Sequence, residues 1–377
     1  MFGARPLPRT LEAALRDLSA DSVGARVASV RDLVSHQDEA REPVVRALQK
    51  ALRDEAGQVR AAAATALADV GGEEALPDLL VAVESHPAML VYLDNVQSIG
   101  PDSIGGRRRN KGLNENLARE VMELHTLGVK GGYSQEDVTS FAKVLTGWTI
   151  TPLKDADPGR FRFLPQIHQP GDKIVLGRRY PDEGKQEADA VLHDLAHHPS
   201  TARFIATKLA RHFIADDPPP AAIDRLARRF QDSGGDLAAV TRALVAAPEA
   251  WPDSPTKIKT PNELVISAFR ALGGYPGEPL RLVRSLGVLD QAPFSAPSPA
   301  GWPDKAANWI GPESTMKRIE WAHAVAEKLP PTDSPLVLAA DVLGPTVSAE
   351  TKFAVEHAAS APDGLAYVLA SPEFQRR

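Results

Sequence analysis

The sequence contains no cysteine. Disulfides, thiolate zinc sites and cysteine nucleophiles are excluded, although that absence by itself assigns no compartment. An excess of basic charge is also missing: 43 Lys and Arg stand against 49 Asp and Glu, a formal net charge of −6. This balance lacks the positive footprint of a nucleic-acid or anionic-membrane binder. No apolar run approaches the roughly 18 residues of a membrane span. The start, MFGARPLPRTLEAALRDL, has no apolar core behind a basic end, so no signal peptide is visible. As written, the chain is expected to be soluble and cytoplasmic. Familiar catalytic signatures are lacking too. There is no Gly-x-Ser-x-Gly elbow, no Gly-x-x-x-x-Gly-Lys phosphate loop, no His-Glu-x-x-His helix and no Gly-x-Gly-x-x-Gly after a strand. A nucleotide-dependent or standard serine-hydrolase role is therefore disfavoured.

What is present is a chain of 377 residues, 43% hydrophobic and 24% charged, enough for two or three domains with sizeable cores. Up to Glu84 the only aromatic residue is Phe2, whereas from Tyr92 onward aromatics recur regularly. That shift places a seam near residue 85. Before it, ARVASVRDL from Ala25 aligns with VRAAAATAL from Val59, matching Arg26 to Arg60 and Leu33 to Leu67 at an offset of 34 residues. A second apolar helix follows each copy, the spacing of an α-solenoid whose units bury their stripes by stacking. DEAGQVRAAAATALADVG resembles a HEAT repeat. Two such units fall short of the three or so usually needed for independent stability. The segment is expected to lean on its neighbour or to be a fragment.

Beyond the seam the chain reads as amphipathic helix. GLNENLAREVMELHTLG lies between Gly112 and Gly128 with Asn114 as cap, and Ser134 stands three residues before Asp137 in a capping-box arrangement. KQEADAVLHDLAHH, STARFIATKLARHFIA, AAIDRLARRFQD and DLAAVTRALVAA continue the pattern, interrupted by DDPPP. Lys259 and Glu263 flank Pro261, marking another helix start. RFRF and KIVLG are short and β-prone, and predict one small hairpin. Arg107, Arg108, Arg109 and Lys111 lie among glycines and read as a flexible loop rather than a binding patch. QAPFSAPSPAGWPDKAANWIGPE is too polar and too broken for helix and reads as a structured loop.

HPAMLVYLDNVQSIGP, GLNENLAREVMELHTLGVKGGYSQEDVT, LTGW, HQPGDKIVLG, PSPAGWPDKAANWI and LASPEFQRR together resemble the bacterial DUF1800 family. The resemblance runs from about residue 86 to the end. It implies a helix-rich protein without an established activity, whose relatives are larger and often exported. The family's usual amino-terminal third looks missing, with HEAT-like repeats in its place, as a fusion or an assembly error would leave it. The expected architecture is all-α: HEAT-like repeats over residues 1–85, then a larger helical domain over residues 86–377 with one hairpin.

The helix LNENLAREVMELHTLG concentrates the titratable groups. On an ideal helix turning about 100° per residue, Glu115, Arg119, Glu123 and Glu120 share one polar face, while His125 lies at the edge of the stripe formed by Leu117, Val121 and Leu124. Arg119 can bridge Glu115 and Glu123 at four-residue spacing. That network is weighed against a metal site in which Glu120 and Glu123 join a ligand from elsewhere, with His168 as the candidate, since ligands must converge on one ion. His125 reads as a hydrogen-bonded histidine at the core boundary or as a ligand. His168 and Lys173 share a turn able to present polar groups. His212 reads as a core-edge residue. Trp302 and Trp309 either line a carbohydrate or peptide groove or anchor their loop. Two functions follow. One is non-catalytic binding or scaffolding, with a protein partner on the HEAT-like repeats and no nucleic acid. The other is a metal-assisted hydrolase or oxidoreductase, with a divalent cation as cofactor and Glu115, Glu120, Glu123, His125 and His168 as its residues.

Overall fold

Capped amphipathic segments turn most of this chain into helix. A computed structural model describes residues 9–377 except 73–74, 110–111, 153, 156–157, 254, 275–278 and 329–333. Phe2 and Lys111 thus lie outside the described residues. Nineteen α-helices are found among those residues, with four three-residue strands in two separate antiparallel pairs, so the all-α class holds. Among the described residues no helix is long and apolar enough to cross a membrane.

The pairing of strands differs from the expected single hairpin. β1 (Trp148–Ile150) pairs with β2 (Phe161–Phe163), and β3 (Lys173–Val175) pairs with β4 (Arg178–Tyr180). RFRF and KIVLG therefore belong to different hairpins. The local reason lies at Leu176 and Gly177, which both take positive φ, 51° and 76°. Two consecutive positive φ values make the tight connection that suits a hairpin's twist, so β3 turns back on the next strand rather than on an earlier one.

The chain divides into two compact units, residues 1–207 with 220–246, and residues 208–219 with 247–377. In the first unit, Val23–Val34, Gln37–Ala51 and Gly57–Val70 bury Val30, Leu33, Val44, Leu48, Val59, Ala63 and Leu67 in one core. The 34-residue offset has a counterpart in hydrogen bonds. Arg26 Nη1 donates to the carbonyls of Ala20 (2.8 Å) and Asp21 (3.1 Å), and Arg60 Nη1 to those of Asp54 (2.8 Å) and Glu55 (2.9 Å). Ala75–Glu84 carries this stack onto Lys185–His197, and Gly57–Val70 packs against Leu237–Val245. Asp236, the cap of Leu237–Val245, also pairs with Arg41 at 2.7 Å. A second core in the same unit gathers Leu117, Val121, Met122, Phe141, Leu145, Trp148, Val191 and Leu192.

The run containing Arg107 and Arg108 is not a loop: Ile104–Arg109 is helical. Gly105 and Gly106 serve close packing rather than flexibility. A Cβ on Gly106 would lie 2.2 Å from the Gly100 carbonyl oxygen, so only glycine admits that approach.

The second unit centres on Leu264, Ala268, Phe269, Trp321, Ala322, Leu365, Leu369 and Phe374. Thr260 and Glu263 form a capping box for Pro261–Ala271, the helix start expected from KTPNE. The LASPEFQRR segment is tied to the residues before that helix: Lys259 N donates to Gln375 O and Arg377 N to Lys257 O, each at 2.9 Å. Lys257 is fully buried, its ammonium paired with Asp216 and donating to the Asp304 carbonyl.

Candidate functional site

The glutamate-rich helix departs from ideal geometry where its chemistry lies. Asn116–Glu120 is α-helical, Val121–His125 is a π-turn, and Asn114 Oδ1 accepts from Asn116 N at 2.8 Å at its start. The polar face forms as four-residue spacing implies, with Arg119 3.2 Å from Glu115 and 3.6 Å from Glu123. Thr139 Oγ1 and Gln135 Nε2 also donate to Glu115, at 2.7 Å each. The Thr139 bond does most to lower the Glu115 carboxyl, against burial, with Gln135 and Arg119 assisting.

His125 lies half-buried at the core boundary, at the end of the π-turn. Five residues span about 140° beyond a full turn in an α-helix, whereas in a π-turn the hydrogen-bond repeat itself is five residues. Glu120 and His125 are thereby close enough for each charge to act on the other. The imidazole Nδ1 meets Glu84 Oε1 at 2.8 Å, and the Glu84 side chain is fully buried. Burial opposes the imidazolium, but the bond to Glu84 and the charges of Glu84 and Glu120 outweigh it, so His125 holds its proton more tightly than usual. Glu120 is raised, chiefly by burial, with Glu123 and Glu84 adding to the effect and His125 opposing. Glu84 Oε2 and Glu120 Oε2 are buried without hydrogen-bond partners among the described residues.

His168 belongs to a different constellation. Its Nδ1 lies 2.7 Å from the Thr146 carbonyl oxygen, which can only accept, so Nδ1 carries a proton. Nε2 faces Lys173 Nζ at 3.2 Å, Glu187 Oε2 at 3.2 Å and Asp182 Oδ1 at 3.4 Å. Lys173 Nζ donates to Glu187 Oε2 at 2.8 Å. His168, Lys173 and Glu187 are buried, and Asp182 reaches the surface. Donor atoms of His168, Asp182 and Glu187 lie within 4.8 Å of one another, a spacing that could hold a cation. The Lys173 ammonium already fills that role electrostatically. Glu123 pairs with Arg119, and neither it nor Glu120 belongs to this group. Gly147, at φ 91°, makes the approach possible, since a Cβ there would sit 2.7 Å from the Phe163 ring and 3.1 Å from His168 Cβ.

In the second unit, Trp302 and Trp309 stand 6.0 Å apart between ring centroids, inclined by 46°. Trp309 is buried and donates from Nε1 to the Pro303 carbonyl at 2.9 Å, so it anchors its loop. Trp302 is half-buried. Together with Leu289, Asp290, Pro297, Asn308, Ser314, Lys317 and Arg318 they line a recess of about 190 Å³. His212 lies in the same unit and pairs with Asp304 at 3.0 Å.

The family model described as "Protein of unknown function (DUF1800)" matches residues 12–376. The chain belongs to the DUF1800 family. No curated protein and no solved structure matches it. Because the DUF1800 match begins at residue 12, the expectation of a missing amino-terminal third preceded by separate HEAT repeats is not supported. The helices before residue 85 fall within the family's own span.

Three partners in this DUF1800 chain escaped the sequence reading: Glu84, Asp182 and Glu187. Glu84 follows the buried Leu76 and Leu80 at four-residue intervals. Glu187 precedes the buried Val191 and Leu195 in the same way. A carboxylate in an apolar stripe was the available signal in both. β3 carried a parallel one, since its alternation is reversed: Lys173 and Val175 are buried and Ile174 is 60% exposed.

Proposed function

We propose that this DUF1800 chain is a non-catalytic binding protein whose ligand seat is the recess between Trp302 and Trp309. The carrying observation is the pairing of a half-buried indole with a buried one around a concave space of about 190 Å³, edged by the polar side chains of Asn308, Ser314 and Lys317. Aromatic faces joined to a few polar groups are the usual composition of a small-molecule site. At about 30 Å³ per water in the liquid, the space equals roughly six waters, enough for one ring and its substituents. Titration of intrinsic tryptophan fluorescence with monosaccharides, small aromatic acids and short peptides tests the reading. A saturable change that Trp302→Ala abolishes supports it, and a flat response to every class overturns it.

A second reading, a metal-assisted enzyme, draws on the His168 cluster. An Nδ1 bond to a backbone carbonyl is the usual way a protein fixes a ligating imidazole, and Glu187 Oε1 is buried without a partner among the described residues. Lys173 weighs against it, because a divalent ion among these oxygens would meet an ammonium 2.8 Å from one of its ligands. Elemental analysis of purified protein decides between the two. Stoichiometric zinc, iron or manganese, lost in His168→Ala, reverses our preference.

A further inference from the structure

We propose that the tryptophan recess selects a small ring-bearing carboxylate, with Arg318 as the cation that recognises the charge and Trp302 as the face on which the ring rests. This inference rests on the recess being a ligand seat and names the chemistry of what sits there. Arg318 lines the recess and is 4% exposed. Its Nη1 donates to Gln375 Oε1 at 2.7 Å and its Nη2 to the Lys259 carbonyl at 2.8 Å, both neutral acceptors. No carboxylate pairs with it among the described residues. A buried guanidinium is ordinarily answered by an anion, because desolvating a lone charge is costly.

The neighbouring charges do not supply one. Lys317 is paired with Asp290 at 2.9 Å and Glu313 at 2.8 Å, and both carboxylates are more than half exposed, at a rim where water screens them. The lining of the recess thus keeps an unanswered positive charge at Arg318, next to Lys317, whose charge is already neutralised. Burial alone pushes the Arg318 guanidinium down to about 10, with no acidic neighbour opposing it, and it remains charged at neutral pH. A planar fork matches a carboxylate in two places at once, a fit that a hydroxyl or an amide cannot reproduce. Trp302 adds a rigid apolar face for a ring, so charge and shape select together.

Matched probes separate this inference from the reading beneath it. The full chain is titrated by calorimetry and tryptophan fluorescence with benzoate against benzyl alcohol and with glucuronate against glucose. The expected result is that the acid of one pair binds at least tenfold more tightly than its neutral counterpart, and that the preference shrinks as salt is raised. Acid and alcohol binding alike would overturn the inference while leaving the recess a ligand seat. No binding by any of the four would overturn both. Arg318→Lys keeps the charge and loses the fork, so it should narrow the preference while the Trp302 response persists. If that variant loses its fold, Trp302→Ala carries the test instead: loss of acid binding supports the seat, and unchanged acid binding overturns it.

Discussion

At the scale of single residues, the buried charges divide into one set that is balanced and one that is not. Lys173 and Glu187 neutralise each other beside His168, so removing one partner strands the other charge in the interior. Lys173→Met should cost about 3–5 kcal/mol in urea unfolding, whereas Lys173→Met with Glu187→Leu should recover most of it. Glu120 is the unbalanced case. Its folded proton affinity is raised, so between the unfolded value near 4.5 and the higher folded value the native state binds more protons, and stability falls as pH rises through that window. Glu120→Gln should therefore stabilise the protein by about 1 kcal/mol at pH 7 and leave it unchanged below pH 4. Melting temperature followed across pH checks both arms. Lys259 acts in the opposite sense. Burial pushes the Lys259 ammonium down to about 8 against the pull of Glu263, so the unfolded chain binds more protons between about 8 and 10.5 and stability rises over that range. Lys259→Met should remove the rise.

At the scale of elements, local rules were legible and partnerships across the chain were not. Ser134 and Asp137 could be read as a capping box from four letters, and Gln135–Leu145 begins there with both hydrogen bonds made. Ser134→Ala should cost about 1 kcal/mol by chemical denaturation with an unchanged denaturant slope. Asp137→Ala should cost more, because its other oxygen accepts from Leu176 N at 2.7 Å and thereby holds the β3–β4 turn. That second bond joins residues 39 apart and left no trace in local spacing. The π-turn was equally invisible. Only Thr126, whose Oγ1 donates to the Val121 carbonyl at 2.7 Å, and Gly128, where a Cβ would meet the Phe204 ring at 2.6 Å, mark it afterwards. Both depend on packing that no helical wheel contains. The wheel therefore placed Glu115, Arg119 and Glu123 correctly and set His125 at the core boundary, but it could not show Glu84, the partner that holds His125 there.

At the scale of the whole molecule, the question is whether the aromatic-poor start is a domain in its own right. Composition shifts sharply near residue 85, yet the burial pattern runs straight across. Leu79 and Ala82 pack on the first core while Val81, in the same helix, packs on the second. Glu84 closes that helix and is the fully buried partner of His125. A chain shortened to residues 86–377 would thus bare the faces of Lys185–His197 and Leu237–Val245 that now meet Ala75–Glu84 and Gly57–Val70. It would also leave His125 without its carboxylate. The expected behaviour of that fragment is strong binding of a hydrophobic dye and a broad urea transition in circular dichroism, without the steep loss of helix that the full chain should give. A fragment that unfolds sharply and leaves the dye dark would mean that residues 1–85 are dispensable to the rest. The compositional seam would then be a physical one, and the helices before it would be an appended module rather than half of a shared core.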